Sequence, residues 1–65
     1  MKNKKELVRY FNELYLIEKE ARDMYNGFLP ELKDKDTYRQ VEEIRNDKEK
    51  HIKIVNEIIK IIERN

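Results

Sequence analysis

The sequence predicts an all-α fold, an antiparallel two-helix hairpin that forms a single domain over residues 1–65. Two long stretches, about 4–28 and about 37–63, carry apolar residues at alternating steps of three and four, which is the period of an amphipathic helix. The only glycine and the only proline, Gly27 and Pro30, fall between these stretches. A short link between two helices predicts that they pack side by side as a hairpin.

The composition narrows the classes of function. Fifteen Lys and Arg residues against fourteen Asp and Glu give a net charge of +1, which provides no basic face for nucleic acid. The chain has no Cys, so a disulfide scaffold and a thiolate metal site are excluded. No apolar run approaches a membrane span, and the charged start MKNKKELVRYF is unlike a signal peptide. We therefore expect a cytoplasmic protein with neither a nucleic acid nor a membrane as partner.

The first helix has recognisable signals at both ends. Asn3 can cap its start, and Glu6 stands three residues later, as in a capping box. Neither Gly nor Pro interrupts residues 2–26. Gly27 suits the left-handed position that often follows the last turn of a helix. The sequence thus predicts that the helix ends close to Gly27.

The link and the start of the second helix follow from local residue preferences. Pro30 is expected to hold Leu29 in an extended conformation, and residues 28–33 leave room for one extra turn. A second capping box begins at Thr37, with Asp34 and Asp36 as competing caps. From there the helical period continues without a Gly or Pro to Ile62.

Each predicted helix presents one stripe toward the other, and both stripes contain charged or titratable residues at their centre. Glu18, Lys48 and His51 are therefore expected to point inward, where such groups are costly unless they are paired or bound to a metal. Any chemistry of this protein is expected at this polar centre. The first stripe is Leu7, Phe11, Leu14, Glu18, Ala21, Tyr25 and Phe28, and the second is Val41, Ile44, Lys48, His51, Val55, Ile58 and Ile62.

The apolar surface of each helix is wider than a single seam. Tyr10, Ile17 and Met24 flank the first stripe, and Ile52 and Ile59 flank the second. A two-helix monomer of this length would be only marginally stable. We therefore expect two copies of the hairpin to associate as a homodimeric four-helix bundle.

Two motifs resemble those of rubrerythrin-type, ferritin-like proteins. The run from Glu18 through Ala21 to Tyr25 is similar to the family's E-x-x-A-x-x-x-Y, and the run from Ile44 to His51 is similar to its I-x-x-x-E-x-x-H. The resemblance covers about residues 10–62. It implies a helical hairpin that pairs with a second one into a bundle around a di-iron site. Glu18 and His51 would then be metal ligands, and iron would be the cofactor.

The chain departs from the family at one ligand position. Lys48 stands where the second-helix Glu of the family is expected, and acidic residues flank it on both sides. Asp47 lies four residues before His51, a spacing that can share a metal, but it falls toward the side of the stripe. Glu49 is turned about 100° away. An ammonium in place of a bridging carboxylate puts positive charge where a dication would bind.

Three interpretations of this centre stay open on the sequence alone. Glu18, Lys48 and His51 form a structural, buried polar layer with Tyr25 beside it, in which Lys48 pairs with Glu18. Alternatively, Glu18 and His51 hold a metal with help from Asp47. The third is a different helix register, in which Lys48 extends to solvent. Tyr25 is either a core residue with a satisfied hydroxyl or the counterpart of the family's inward Tyr near the metals.

Three functions also stay open on the sequence alone. The first is a degenerate ferritin-like hairpin without a cofactor, acting as a non-catalytic dimeric scaffold or interaction module. The second is a small iron-binding protein, an oxidase or an iron-handling protein, that uses Glu18 and His51. The third is an adaptor that binds a helix of another protein with its Ile-rich end, Ile58 to Ile62. The residues leave open whether the protein is an enzyme.

Overall fold

The computed structural model describes residues 3–64. Helix α1 is Lys4–Phe28 and helix α2 is Lys35–Arg64, and a single 3-10 turn, Leu29–Glu31, lies between them. The predicted all-α hairpin is confirmed, and α1 has the range predicted for it. Helix α2 begins two residues earlier than predicted. Within the described residues, no helix combines the length and the apolar character needed to cross a membrane.

The two helices run antiparallel along their whole length. Near the open end, Lys4 Nζ donates a hydrogen bond to the carbonyl oxygen of Glu63. Nearer the loop, Arg45 Nη1 donates to Asn26 Oδ1. The resulting shape is a rod of 47 × 17 × 14 Å. Its radius of gyration of 15.0 Å exceeds the value of about 11 Å expected for a compact domain of this length.

The cap predicted at Asn3 is confirmed. The side chain of Asn3 accepts a hydrogen bond from the Glu6 backbone N–H at 2.9 Å. This bond satisfies one of the amide groups that the first turn of a helix leaves without a partner.

The end of α1 differs from the prediction at two residues. Gly27 lies inside the helix and has no positive φ, so it does not act as a left-handed terminator. Leu29 is helical, with φ −52° and ψ −46°, rather than extended. Leu29 is also one of the most buried residues, at 6% exposure. Burying a leucine side chain stabilises a fold by about 1.5–3 kcal/mol, and we attribute the helical conformation of Leu29 to this burial.

Helix α2 contributes most of the buried core. Its residues Ile52, Val55 and Ile59 are buried, and Leu29 joins them from the 3-10 turn. The inward residues of α1 are only part-buried, and they include six of the seven predicted ones: Leu7, Phe11, Leu14, Glu18, Ala21 and Tyr25. The seventh, Phe28, is exposed, because the chain turns at this point and buries Leu29 instead.

The predicted stripe of α2 is confirmed at Val41, Lys48, Val55, Ile58 and Ile62, which are buried or part-buried, but its rotational phase is slightly different and it is wrong at two residues. Ile44 and His51 are exposed, whereas Arg45 and Ile52 lie inward. Each of the two phases contains five apolar and two polar residues, so hydrophobicity alone does not separate them. The inward stripe of α2 in the structure is Val41, Arg45, Lys48, Ile52, Val55, Ile59 and Ile62.

Asp34 caps α2, which decides among the three caps that the sequence offered. The capping box predicted to begin at Thr37 is wrong, because Thr37 and Asp36 lie inside the first turn of the helix. Its Oδ2 accepts hydrogen bonds from the Thr37 backbone N–H at 3.2 Å and from the Thr37 hydroxyl at 2.6 Å. These bonds to Thr37 hold the pKa of the Asp34 carboxyl below its ordinary value of 3.8.

The cap predicts a dependence of stability on pH. Because the pKa of Asp34 is lower in the folded chain than in the unfolded chain, its charge stabilises the fold fully above about pH 4, and this contribution is lost as the pH falls further. We expect Asp34→Asn to keep a capping oxygen but to weaken the fall of the thermal midpoint in acid. Thermal unfolding followed by circular dichroism between about pH 7 and pH 2 measures this.

The matched control for this prediction is Asp36→Asn. Asp36 is also an exposed acid in the first turn of α2, and only its backbone N–H reaches Asp34. We expect Asp36→Asn to leave the fall of the thermal midpoint in acid unchanged. If Asp36→Asn weakened this fall as much as Asp34→Asn, the assignment of the cap would be contradicted.

Candidate functional site

An ion pair joins the two helices near the middle of the hairpin. Lys48 Nζ lies 3.3 Å from Glu18 Oε2, and the exposed fractions of the two side chains are 28% and 15%. Both residues belong to the inward stripes, so the same apolar packing that pairs the helices brings the two charges together. The pairing matches the first interpretation of the sequence, in which Lys48 takes up the charge of Glu18.

His51 approaches the same carboxylate from the edge of the interface. Its Nδ1 lies 3.6 Å from Glu18 Oε2, and 53% of its side chain is exposed. Ile52, one residue later, occupies the inward position that the sequence analysis gave to the histidine. We call Glu18, Lys48 and His51 the polar cluster. In a single chain the cluster is part-exposed, and the described residues include no fully buried polar or charged side chain.

One oxygen of the polar cluster lacks a hydrogen bond. Glu18 Oε2 is removed from solvent and has a cation and an imidazole as neighbours, but neither meets it with hydrogen-bond geometry. The oxygen therefore has electrostatic attraction from Lys48 without a directed bond. Leaving a desolvated carboxylate oxygen without a hydrogen-bond donor costs free energy, so any rearrangement that brings a donor to Glu18 Oε2 would stabilise the fold.

Two more polar contacts join the helices on the loop side of the polar cluster. Arg22 Nη1 lies 3.3 Å from Glu49 Oε1, and Arg22 also pairs with Asp23 at 3.0 Å. Arg45 Nη1 donates to Asn26 Oδ1 at 2.9 Å. These contacts were not predicted from the sequence. Their signal in the sequence is that Arg22, Asn26 and Glu49 each directly follow an inward residue, where long side chains can reach across the pair of helices.

The acidic neighbours of Arg22, Asp23 and Glu49, stabilise its charged form. The hydrogen bond to Asp23, together with the attraction of Asp23 and Glu49, raises the pKa of the Arg22 guanidinium. Arg22 is therefore a cation that links α1 to α2 through Glu49.

The remaining predicted site residues lie apart from the polar cluster. Tyr25 is part-buried on the inward stripe of α1, but it lies seven positions after Glu18, which is about 10 Å along the helix axis. Asp47 is exposed on α2, and Glu49 is bound to Arg22. The structure thus brings together Glu18, Lys48 and His51 from the predicted set.

The donor set of a single chain does not fit the di-iron site that the family resemblance implies. Such a site takes a Glu from each of two helices and a Glu and a His from each of the other two. Within residues 3–64, no three His, Asp or Glu side chains gather closely enough to hold a metal ion. The polar cluster offers Glu18 and His51, and the Lys48 ammonium already neutralises the carboxylate.

The ion pair predicts a specific pattern of stabilities. Lys48→Met leaves the part-buried Glu18 carboxylate without its cation, and we expect it to lower the free energy of unfolding by roughly 1–2 kcal/mol, between the values for exposed and buried pairs. Adding Glu18→Gln to Lys48→Met should recover much of the lost free energy of unfolding, because the unpaired carboxylate charge is then removed. Urea unfolding of the single and double variants measures the coupling.

Lys50→Met is the control for this experiment, since Lys50 is an exposed lysine on the same helix. A Lys48→Met variant as stable as the Lys50→Met variant would show that the ion pair does not contribute to the fold.

Comparison with protein-family models, with curated proteins and with solved structures finds no match for this chain. The similarity to rubrerythrin-type proteins therefore rests on the motif residues around Glu18 and His51 and stays a prediction.

Proposed function

We propose that this chain is a non-catalytic, homodimeric helical scaffold or interaction module, a degenerate ferritin-like hairpin whose polar cluster has a structural role. The observation that carries the proposal is the position of Lys48 Nζ, 3.3 Å from Glu18 Oε2. The carboxylate that would be the first metal ligand is thereby already paired with a cation.

The charge balance at the cluster supports this proposal. A divalent cation at Glu18 would lie within a few ångströms of the Lys48 ammonium, and like charges at such a distance repel strongly where solvent is partly excluded. Lys48 itself supplies the positive charge that the carboxylate needs. The cluster is thus electrically complete without a metal.

The polar cluster also has a role that a scaffold needs. A part-buried ion pair adds little net stability, but it distinguishes one alignment of two helices from others. Sliding α1 by one turn would place Lys48 opposite Leu14 or Ala21 and leave the charges of Glu18 and Lys48 unpaired. The pair therefore specifies the register in which the hairpin packs.

The accessible surface area supports association of two copies. The chain exposes 5451 Å², whereas a compact monomer of 8.1 kDa exposes about 4,500 Å². The difference is about the area, 600–1,000 Å² per partner, that a stable interface buries. A dimer of hairpins would remove this excess and form the four-helix bundle that the sequence predicts.

The oligomeric state is the first test of this proposal. We expect sedimentation equilibrium to give twice the chain mass of 8.1 kDa at micromolar concentrations, and we expect the thermal midpoint to rise with protein concentration, because dimerisation is linked to folding. A folded monomer at these concentrations would contradict the homodimer.

A second candidate function, iron binding by an oxidase or an iron-handling protein, is supported by one contact. His51 Nδ1 and Glu18 Oε2 lie 3.6 Å apart, so an imidazole and a carboxylate converge as two ligands of one metal do. Two copies of the chain would supply two residues of each kind. This function requires Lys48 to move away from Glu18 before a metal binds.

Metal content separates the two functions. After anaerobic loading with Fe(II) and desalting, we expect elemental analysis to find no retained iron in the wild-type protein or in a His51→Ala control. We expect Lys48→Glu to destabilise the fold through repulsion with Glu18 and to create no iron binding. Stoichiometric iron in the wild-type protein that is lost in His51→Ala would overturn the scaffold and favour the metalloprotein.

A further inference from the structure

Both helices carry a second apolar stripe beside the inward one. In α1 it consists of Tyr10, Ile17, Met24 and Phe28, each of which follows an inward residue by three positions and is about half exposed or more. In α2, Ile44, His51 and Ile58 have the same offset, and Ile54 and Ile61 extend the stripe outward. The second stripes therefore run along most of the hairpin.

The two second stripes lie on the same face of the hairpin. An offset of three residues turns each stripe by about 60° in the same sense around its own helix axis. Two antiparallel helices are related by a twofold axis perpendicular to the plane that contains them, so equal offsets on both helices point to the same side of that plane. We call this side the outer face.

The opposite side of the hairpin is occupied by polar contacts between the helices. Arg22 and Glu49 each follow an inward residue by one position, which turns them away from the outer face. They meet at 3.3 Å, and Asn26, which has the same offset, accepts a hydrogen bond from Arg45. In the loop half of the hairpin the two broad sides thus differ, with ion pairs and hydrogen bonds on one and apolar side chains on the other. Toward the open end, Val8 and Tyr15 share the offset of Arg22 and are part-buried.

From this asymmetry we infer that the outer face is the surface on which a second copy of this chain binds, an inference that rests on the proposed homodimer. An interface between identical copies uses the same patch twice, so the patch must be complementary to itself. The outer face carries apolar residues along both helices, and its acidic residues, Glu13, Glu20 and Asp47, each lie three positions after one of them, toward the edge of the face. Two such faces can bring their apolar residues into contact, with the acidic residues at the margins of the interface.

A second hairpin fits the outer face better than a single helix of another protein. A single helix would occupy the groove between the stripes and leave the outer edges of both stripes in water. Two hairpins cover both stripes at once and give the four-helix arrangement in which each helix has two neighbours. The excess accessible area, roughly 950 Å² relative to a compact monomer, is in the range of a dimer interface.

The partner copy would also complete the polar cluster. His51 lies on the outer face, half exposed, and reaches Glu18 from that side. A second hairpin on the outer face covers His51 and closes the cluster from solvent. The polar cluster, which the single chain leaves open at one edge, is then enclosed by the dimer.

Adjacent residues of α1 provide a matched test. Ile17 belongs to the outer face and is 62% exposed, whereas Leu16 is 54% exposed and points away from both the outer face and α2. We expect Ile17→Glu to raise the dissociation constant of the dimer roughly hundredfold, as for the loss of a central contact. Leu16→Glu should leave it unchanged. Sedimentation equilibrium measures both, and circular dichroism checks helical content.

A second measurement tests the outer face without the Ile17→Glu variant, which could unfold when the dimer dissociates. The chain has no Cys, so single-cysteine variants report on one position each. Above the dissociation constant, we expect a maleimide to label the Ile17→Cys variant more slowly than the Leu16→Cys variant, and the difference should disappear on dilution. Equal labelling rates in the dimer would overturn the outer-face interface.

The outcomes separate this inference from the proposed function. A wild-type monomer contradicts the homodimer itself. A wild-type dimer that survives Ile17→Glu, or that Leu16→Glu dissociates equally well, keeps the homodimer and excludes the outer face. A monomer whose Ile17→Cys label is protected only by an added helical peptide would assign the outer face to a different partner and overturn the inference.

Discussion

The ion pair between Glu18 and Lys48 is the interaction on which the alignment of this hairpin depends. Apolar side chains recur every three or four residues along both helices, so a slip of one turn would still place apolar residues opposite one another. The charges of Glu18 and Lys48, by contrast, would be separated by such a slip, because they lie 3.3 Å apart in the observed alignment. Hydrophobic burial supplies the stability of the fold, and the pair selects one arrangement among several of similar burial.

The sequence contains enough information for the backbone of the hairpin and for the identity of the central pair. The extent of α1 follows from the cap at Asn3 and from an unbroken helical period, both of which depend on residues within one turn. The proximity of Glu18 and Lys48 follows from their positions on opposing stripes. Both inferences need only helix geometry and the assumption that the two helices are antiparallel.

The phase of α2, the conformation of Leu29 and the contact between Arg22 and Glu49 depend on packing between the helices, which local sequence does not determine. The phase of α2 is ambiguous because both candidate stripes are equally apolar, and the decision comes from the residues of α1 that α2 meets. The helical conformation of Leu29 results from its burial, which outweighs the preference that Pro30 imposes on its neighbour. The contact between Arg22 and Glu49 becomes visible only when the phase of α2 is known.

The polar contacts between the helices join residues whose separation in sequence increases from the loop to the open end. Asn26 and Arg45 are 19 residues apart, Arg22 and Glu49 are 27 apart, and Lys4 and Glu63 are 59 apart. Closing the longest loop first costs about 1 kcal/mol more in chain entropy than closing the shortest. Each contact made from the loop outward shortens the segment that the next one must close. The hairpin can therefore fold as a zipper that starts at the buried Leu29, with the chain ends joining last.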